Sequence, residues 1–494
     1  MSSRKSNLVV IMADQLRWDA LGEHTPNINA LKAESVVFER AYCASPLCVP
    51  ARGSFFTGKY PNVTGSLINP WTEQEKQHGI VRPEHANLYE LLENEWDSWH
   101  TGKQHLFTDP KLEHSEDSRT HWLQLEQRYE AFMKANGKKK PGGPAFQGLV
   151  PELAYGKITR KRKYSIPTVG RFDEALDYFY DGFILNDSLE AIRGRDRAKP
   201  FALNAMFLAP HPPLHIPEPW YSMIQDVKLP DNVGVWGDNQ SPLQLYNLTG
   251  MLGSSYTREE WQRIWKVYIG LVALLDHCVG KLVAELKNEG LYDDTLIVFC
   301  SDHGEMLGSH KLWQKMCMYE ESVKTPLFLK FPSGFEPAVR SSDAPVSSVD
   351  VMPTLCDALG LQTPDGVSGE SLMPFIRGEK AGPVRERVFI QFDGNGARSN
   401  FQRCVIEGNY KLIVDIFKDE IFVELYHLAD DPQEMNNLAF RAEENGSRIE
   451  SMLAGLREHM RATNDLLTLP ANVFRQFLTD YGPFQDKQGS LPSN

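Results

Sequence analysis

Cys48 stands in the run Leu47-Cys48-Val49-Pro50-Ala51-Arg52-Gly53-Ser54-Phe55-Phe56-Thr57-Gly58. An extended, partly apolar run (Val36 to Tyr42) precedes it. The segment after it can wind as a short helix with Pro50 in the first turn, where a missing N–H costs nothing. Cys48 is therefore expected at a strand-to-helix corner, facing orphan N–H groups and the positive end of the helix dipole, a natural cradle for an anion. Four further groups are expected at the carboxyl ends of strands, where open α/β sheets bind ligands. Asp14-Gln15 follows the continuous apolar run Asn7 to Met12, which suits a strand buried on both faces, and an acid so placed can hold a metal. Gly102-Lys103-Gln104-His105 ends a strand expected over Trp96 to His100. In an extended segment Lys103 and His105 point to one side, so an ammonium and an imidazole converge on one anion. His211 lies between Pro210 and Pro212, held stiffly beyond the buried strand Pro200 to Phe207. Ser301-Asp302-His303-Gly304-Glu305 follows the buried strand Thr295 to Cys300. Each group alone has a plainer reading, such as a buried thiol, a helix cap, a surface pair or an exposed loop histidine. Their joint appearance argues for one site.

The pattern Cys-x-Pro-x-Arg followed by Gly-Ser-x-x-Thr-Gly resembles the signature of the type I sulfatases, in which the cysteine is oxidised after translation to formylglycine (3-oxoalanine). A thiol is a poor nucleophile toward a sulfate ester, whose oxygens are already anionic. A hydrated aldehyde attacks through one hydroxyl, and its second hydroxyl helps expel the sulfate. Gly-Lys-x-His at Lys103 and His105 resembles another element of the family. Pro-His-x-Pro at His211 resembles the element whose histidine meets the leaving-group oxygen, and Lys315 matches the second active-site lysine. The resemblance implies an alkaline-phosphatase-like fold and a divalent cation held by Asp14, Gln15, Asp302, His303 and the modified residue 48. It also implies charge neutralisation by Arg52, Lys103 and Lys315, protonation of the departing alcohol by His211 with Lys315, and proton removal by His105 from the second hydroxyl.

Two departures bear on the metal. Sulfatases commonly have two adjacent acids where Asp14-Gln15 stands, and many have Asn where His303 stands. Ca2+ is the expected ion, and the departures bring in Mn2+ or Mg2+ beside it. Phosphonate monoester and phosphodiester hydrolases of the same superfamily share the Asp-Gln and Asp-His pairs but lack Lys-x-His, which makes them the nearest alternative. A non-catalytic protein binding sulfated glycans, with Cys48 unmodified, is the alternative from another class. The implied partners are a sulfated small molecule or glycan and a formylglycine-generating or anaerobic sulfatase-maturating enzyme, with oligomerisation left open.

Composition sets the bounds. The 494 residues are 41% hydrophobic and 24% charged, ordinary for a soluble enzyme with more than one core. A formal net charge of −13 argues against nucleic acid as a partner, so an anionic substrate requires a local positive pocket. The apolar stretch Leu8 to Met12 is too short for a signal sequence, and no run is expected to span a membrane, which points to the cytoplasm, or to the periplasm or exterior if a signal has been trimmed. The seven cysteines (Cys43, Cys48, Cys278, Cys300, Cys317, Cys356, Cys404) are odd in number and form no Cys-x-x-Cys pair, against a disulfide or zinc framework.

The expected architecture is α/β: a large, doubly wound, mixed-sheet domain (1–375) and a small C-terminal α+β domain with an antiparallel sheet (384–494), joined through the Pro/Gly/Ser-punctuated segment Pro364 to Pro383. Helices are expected at Thr25 to Ser35, Ala86 to Asn94, Asp173 to Ala191 and Arg441 to Thr463. The box Thr257-Arg258-Glu259-Glu260 opens the longest, which runs toward Leu286. Asn62 to Trp71 and Pro217 to Ser255 are expected as substrate rim. From Phe107 to Arg197 irregular loops are expected, with Lys138-Lys139-Lys140 and Lys157 to Lys163 either solvated or steering a polyanion. Four strands between Arg387 and Leu428 and a polar tail after Leu469 complete the chain.

Overall fold

The apolar run at the start of the chain forms the strand Asn7–Asp14, buried along its whole length. It lies inside an eight-stranded sheet ordered Ser341–Ser342, Val36–Phe38, Leu327–Lys330, Thr295–Ser301, Asn7–Asp14, Phe201–Pro210, Asp97–Gly102, His121–Gln124. The five strands from Thr295–Ser301 to His121–Gln124 are parallel, and Leu327–Lys330 runs against its neighbour, which makes the sheet mixed. Alternation along the first strand shows the double winding. Val9 and Ile11 pack into one core with the long helix Arg258–Asn288, and Leu8, Val10 and Met12 into a second with the helices Cys48–Thr57 and Val351–Leu359. The structure is a computed structural model that describes residues 5–481 apart from 71, 155–156, 247, 383–384, 396–399 and 418. Met1 to Arg4, Trp71, Pro383 at the end of the expected connector and the tail beyond Tyr481 therefore fall outside the described residues.

Parallel register brings the strand ends to one edge. Ala13 lies opposite Ser301, Asp14 opposite Pro210, and Gly102 opposite Met206. Asp14, Lys103, His211 and Asp302 thus leave the sheet together, which is the geometric reason that residues up to 288 positions apart share a site.

The C-terminal sheet, Arg387–Phe392, Phe401–Glu407, Tyr410–Phe417 and Glu420–His427, is antiparallel in chain order. One face (Val405, Leu412, Val414, Val423) packs under the helices Ala442–Ala462 and Val473–Asp480. The other (Ile390, Phe392, Cys404, Ile413) packs on Tyr42, Leu47, Met306 and Met316, beside the Cys48 corner. That second face makes the small domain part of the wall around the site.

Several expectations change. The region from Phe107 is more ordered than its polarity suggests: it contains the helix Leu125–Ala135 and a hairpin pairing Gln147–Ala154 with Lys157–Ser165. Lys161 and Lys163 are exposed on that hairpin, whereas the side chains of 157–160 and 162 lie outside the described residues. Lys138 and Lys140 instead pair with Glu174 and Glu130. The helix expected from Asp173 begins at Tyr180. Trp220, expected at a substrate rim, is packed in the core. Arg258–Asn288 carries the expected capping box, Thr257 Oγ1 accepting from Glu260 N at 3.2 Å. Contrary to expectation it is long and apolar enough to span a membrane, but most of its apolar window is buried within the protein, as in a core helix.

Candidate active site

Cys48 is the first residue of the helix Cys48–Thr57, preceded by extended Leu47 (φ −155°, ψ 132°) and ended by Gly58 at φ 66°. The strand-to-helix corner is as expected; the cradle of free N–H groups is not. Val49 N–H donates to Asn69 Oδ1 at 2.9 Å, Pro50 has none, and Ala51 N–H donates to Leu47 O at 2.9 Å. Asn69 belongs to the segment expected as rim, which instead braces the start of this helix. The positive charge around Cys48 therefore comes from side chains.

One helical turn on, Arg52 is fully buried and bridges the two carboxylates, Nε donating to Asp302 Oδ2 and Nη2 to Asp14 Oδ2, each at 3.0 Å, while Nη1 donates to Lys103 O. These bonds align Asp14 and Asp302 with each other. Lys103 Nζ donates to Asp14 Oδ2 and lies 3.8 Å from Cys48 Sγ. Burial would raise the Asp14 carboxyl, but neighbouring charge, Lys103 foremost and Arg52 with it, outweighs burial and holds the group well below the usual carboxylate range. Burial and Asp14 likewise push the Cys48 thiol up, yet Lys103, Lys315 and His303 lower it overall. Lys315 Nζ donates to Gln15 Oε1.

The extended Lys103 to His105 geometry does not hold. Gly102 adopts φ 91°, where a Cβ would meet Met206 O at 2.0 Å, and His105 adopts φ 50°. Both side chains still reach the cluster. Burial first, then Lys103 and Arg52, keep His105 well below its ordinary pKa, and its buried Nδ1 has no partner among the described residues. His211 is depressed in the same way by burial, Lys315 and Lys103, with Nδ1 2.5 Å from Pro212 O. Both imidazoles are neutral near pH 7.

A sulfatase family model matches residues 6–361, and a model for the C-terminal region of N-sulphoglucosamine sulphohydrolase matches 308–463. The chain belongs to the sulfatase family. Among its relatives, a choline-sulfatase of Rhizobium meliloti is 29% identical over 89% of this chain and 83% of its own length. An arylsulfatase of Clostridium perfringens is 28% identical over 90% and 92%. In fold, a phosphonate monoester hydrolase of Agrobacterium radiobacter superposes with a TM-score of 0.73, at 24% identity, over 93% of this chain and 95% of that one. The sulfatase is thus a sulfuric ester hydrolase.

The donor set of this sulfatase fits a divalent cation. Asp14, Cys48, Asp302 and His303 each present one ligand atom, all within 4.8 Å of one another and all buried. His303 Nδ1 faces Gly304 O at 3.0 Å, which places the proton there and leaves Nε2 toward Cys48 Sγ, 3.1 Å away. Asp302 Oδ1 is fixed by the N–H groups of Gln15 (3.1 Å) and His303 (2.9 Å). The Gln15 carboxamide, expected as a further ligand, is engaged otherwise: Oε1 accepts from Lys315 and Nε2 donates to Glu305 Oε2. It connects the two halves of the cluster.

Four supporting groups escaped the sequence reading. Glu305 orients Gln15. Tyr268, on the long helix assigned no chemistry, accepts from Arg17 N at 2.9 Å and donates to Gln15 O at 3.0 Å, fixing a residue at φ 67°. Ser301 Oγ accepts from Leu16 N and donates to the backbone beside it. Asn69 holds the helix start. Ser301 and Glu305 gave a signal, since they open and close the run that follows the strand Thr295 to Cys300.

Proposed function

We propose that the sulfatase cleaves the sulfate monoester of a carbohydrate, with residue 48 as nucleophile after oxidation of Cys48 to formylglycine. The observation that carries this reading is the convergence of Lys103 and His303 on Cys48 Sγ, in a corner that Lys315, His105 and His211 share electrostatically. Converted and hydrated, residue 48 supplies one hydroxyl for attack and a second through which the aldehyde is restored. Asp14, Asp302, His303 and residue 48 would hold a divalent cation, Ca2+ by family habit or Mn2+ or Mg2+ by the imidazole in the set, which would supply Lewis-acid polarisation there. Cys48 is only 2% exposed, so its conversion by a formylglycine-generating or anaerobic maturating enzyme precedes folding.

The remaining work falls to the chain's own side chains. Lys103 and Lys315 place ammonium charge where negative charge builds up, each contributing on the order of 3 kcal/mol. Arg52 keeps Asp14 and Asp302 aligned. His105, neutral and with Nδ1 unpartnered, is ready to accept a proton from the second hydroxyl. His211 has Nδ1 turned to Pro212 O, leaving Nε2 for the leaving-group oxygen. An arriving sulfate anion offsets Lys315 and Lys103, the cations that depress His211, and so favours the protonated form that acid catalysis needs. The sugar assignment is supported by the C-terminal match to the N-sulphoglucosamine sulphohydrolase model.

Mass measurement of the peptide spanning 47–52 tests the conversion, and turnover of 4-nitrophenyl sulfate by the native enzyme tests the reaction. Unmodified Cys48 in a fully active preparation overturns the mechanism. Asp14-Gln15 and Asp302-His303 favour a second reading, hydrolysis of phosphonate monoesters, against which Lys103 and His105 stand. Parallel rates on an aryl sulfate and an aryl phosphonate separate the two.

A further inference from the structure

Asn395 carries a side-chain oxygen that is buried and has no hydrogen-bond partner among the described residues. The surrounding bonds fix which atom it is. The Tyr164 hydroxyl has one proton and gives it to Gln314 Oε1 at 2.7 Å, so toward Asn395 it is an acceptor, and the Asn395 atom 3.2 Å away is Nδ2. Nδ2 also lies 3.2 Å from Met316 Sδ. What remains over is Oδ1, an acceptor.

Three anchored pieces of chain hold this group. Trp313 Nε1 donates to Ser165 O at 2.9 Å, fastening the hairpin strand Lys157–Ser165 to the loop before Lys315. Gln314 (φ 65°) and Met316 (φ 77°) are left-handed on either side of Lys315, strain that persists only where the surroundings over-determine it. On the C-terminal domain, Arg403 binds Asp393 at 2.8 Å and Asp465 at 2.6 Å, and Gln402 Nε2 donates to Met316 O at 3.1 Å. The wall stands beside the reacting corner: after burial, the charges of Cys48 and Glu305 are what most raise the Tyr164 hydroxyl.

A buried acceptor without a donor is costly, and the sulfate group of a monoester offers acceptors only. Of the two halves of the substrate, only the alcohol half can carry a donor. We infer that Asn395 Oδ1, oriented by Tyr164 and Gln314, accepts a hydrogen bond from a hydroxyl of the sugar bearing the sulfate, and so makes the enzyme prefer polyhydroxylated leaving groups. This deepens the sulfatase reading above and rests on it. The subsite is split between a hairpin of the large domain and a loop of the small one.

The test compares kcat/KM for a sulfated monosaccharide with that for cyclohexyl sulfate, a ring of similar size without further hydroxyls, with 4-nitrophenyl sulfate as reference. The native enzyme is expected to prefer the sugar, and Asn395→Leu to cut that preference by about tenfold. Asn395→Asp keeps an acceptor and retains most of it, and thermal unfolding of each variant separates a folding defect, which lowers all three substrates together. An unmoved sugar-to-cyclohexyl ratio in Asn395→Leu, or no preference in the native enzyme, overturns the inference while leaving the sulfatase mechanism standing. Absence of hydrolysis on all three substrates, or hydrolysis surviving in Cys48→Ala, overturns the mechanism and the inference with it.

Discussion

The Cys48 corner and the seam beneath the C-terminal sheet both bury charge, with opposite balance. At the corner, Asp14 and Asp302 face Arg52 and Lys103 at 3.0 Å or less, and Asp14 is held ionised. At the seam, Lys411 reaches Glu320 at 2.7 Å and Glu434 at 2.8 Å, and Glu424 and Asp415 add two more buried carboxyls along the same sheet. Burial, aided by Glu424, pushes Asp415 up to about 7, and burial pushes Glu424 up to about 6 and raises Glu434. Carboxyls there act as hydrogen-bond partners: Tyr319 and Tyr426 donate to Glu424 at 2.8 Å, and Ser241 to Asp415 at 3.0 Å. Cations in direct contact keep carboxylates charged and ready for a metal and an anion. A surplus of acids makes them hold protons and fasten two domains.

The sharpest way to break this contrast is at Cys48. Cys48→Ala should lower turnover of an aryl sulfate by roughly 10⁴-fold or more while leaving the unfolding midpoint nearly in place. Lys411→Met at the seam should do the reverse, destabilising the protein by about 3 to 5 kcal/mol in denaturant titration, because Glu320 and Glu434 lose their shared partner. Equal stability of that variant and the native chain would show that the seam is not held by this cation. Lys103→Ala should cost on the order of 3 kcal/mol of transition-state stabilisation, read as a drop in kcat of about a hundredfold, with a smaller stability change than at Lys411.

The finest test is the pH dependence of the seam. Asp415 rises from 3.8 to about 7 on folding, so the folded chain binds its proton more tightly than the unfolded chain. That stability is complete below pH 3.8 and is lost as pH rises through about 7. The slope is at most about 1.4 kcal/mol per pH unit for one group. Asp415→Asn, which keeps an acceptor for Ser241, should flatten the fall in unfolding free energy between about pH 4 and 7; an unchanged slope would remove Asp415 from the account.

The chemistry was legible where a strand was. Asp14, Lys103, His211 and Asp302 each follow an apolar run that reads as a buried strand, and the parallel sheet carries all four to one edge. The hairpin was not legible, because Lys157 to Lys163 lacks the alternation that marks a half-buried strand and its pairing with Gln147–Ala154 joins two polar segments. Nor were the partners of Gln15 and Arg52. The residue next to Asp14 gives no sign that Glu305, 290 positions away, accepts its N–H or that Lys315 donates to its oxygen.

The sequence by itself determined which reactive groups the protein carries and that they follow strands, since residue type and hydrophobic period are local properties. Only the tertiary structure decided which of those groups touch, which cation serves which carboxylate, and that Asn395 of the small domain meets Tyr164 of the hairpin. Protonation belongs to the same second class: a carboxyl is depressed at Asp14 and raised at Asp415 by burial and neighbouring charge, and both depend on strand order and register rather than on the residue.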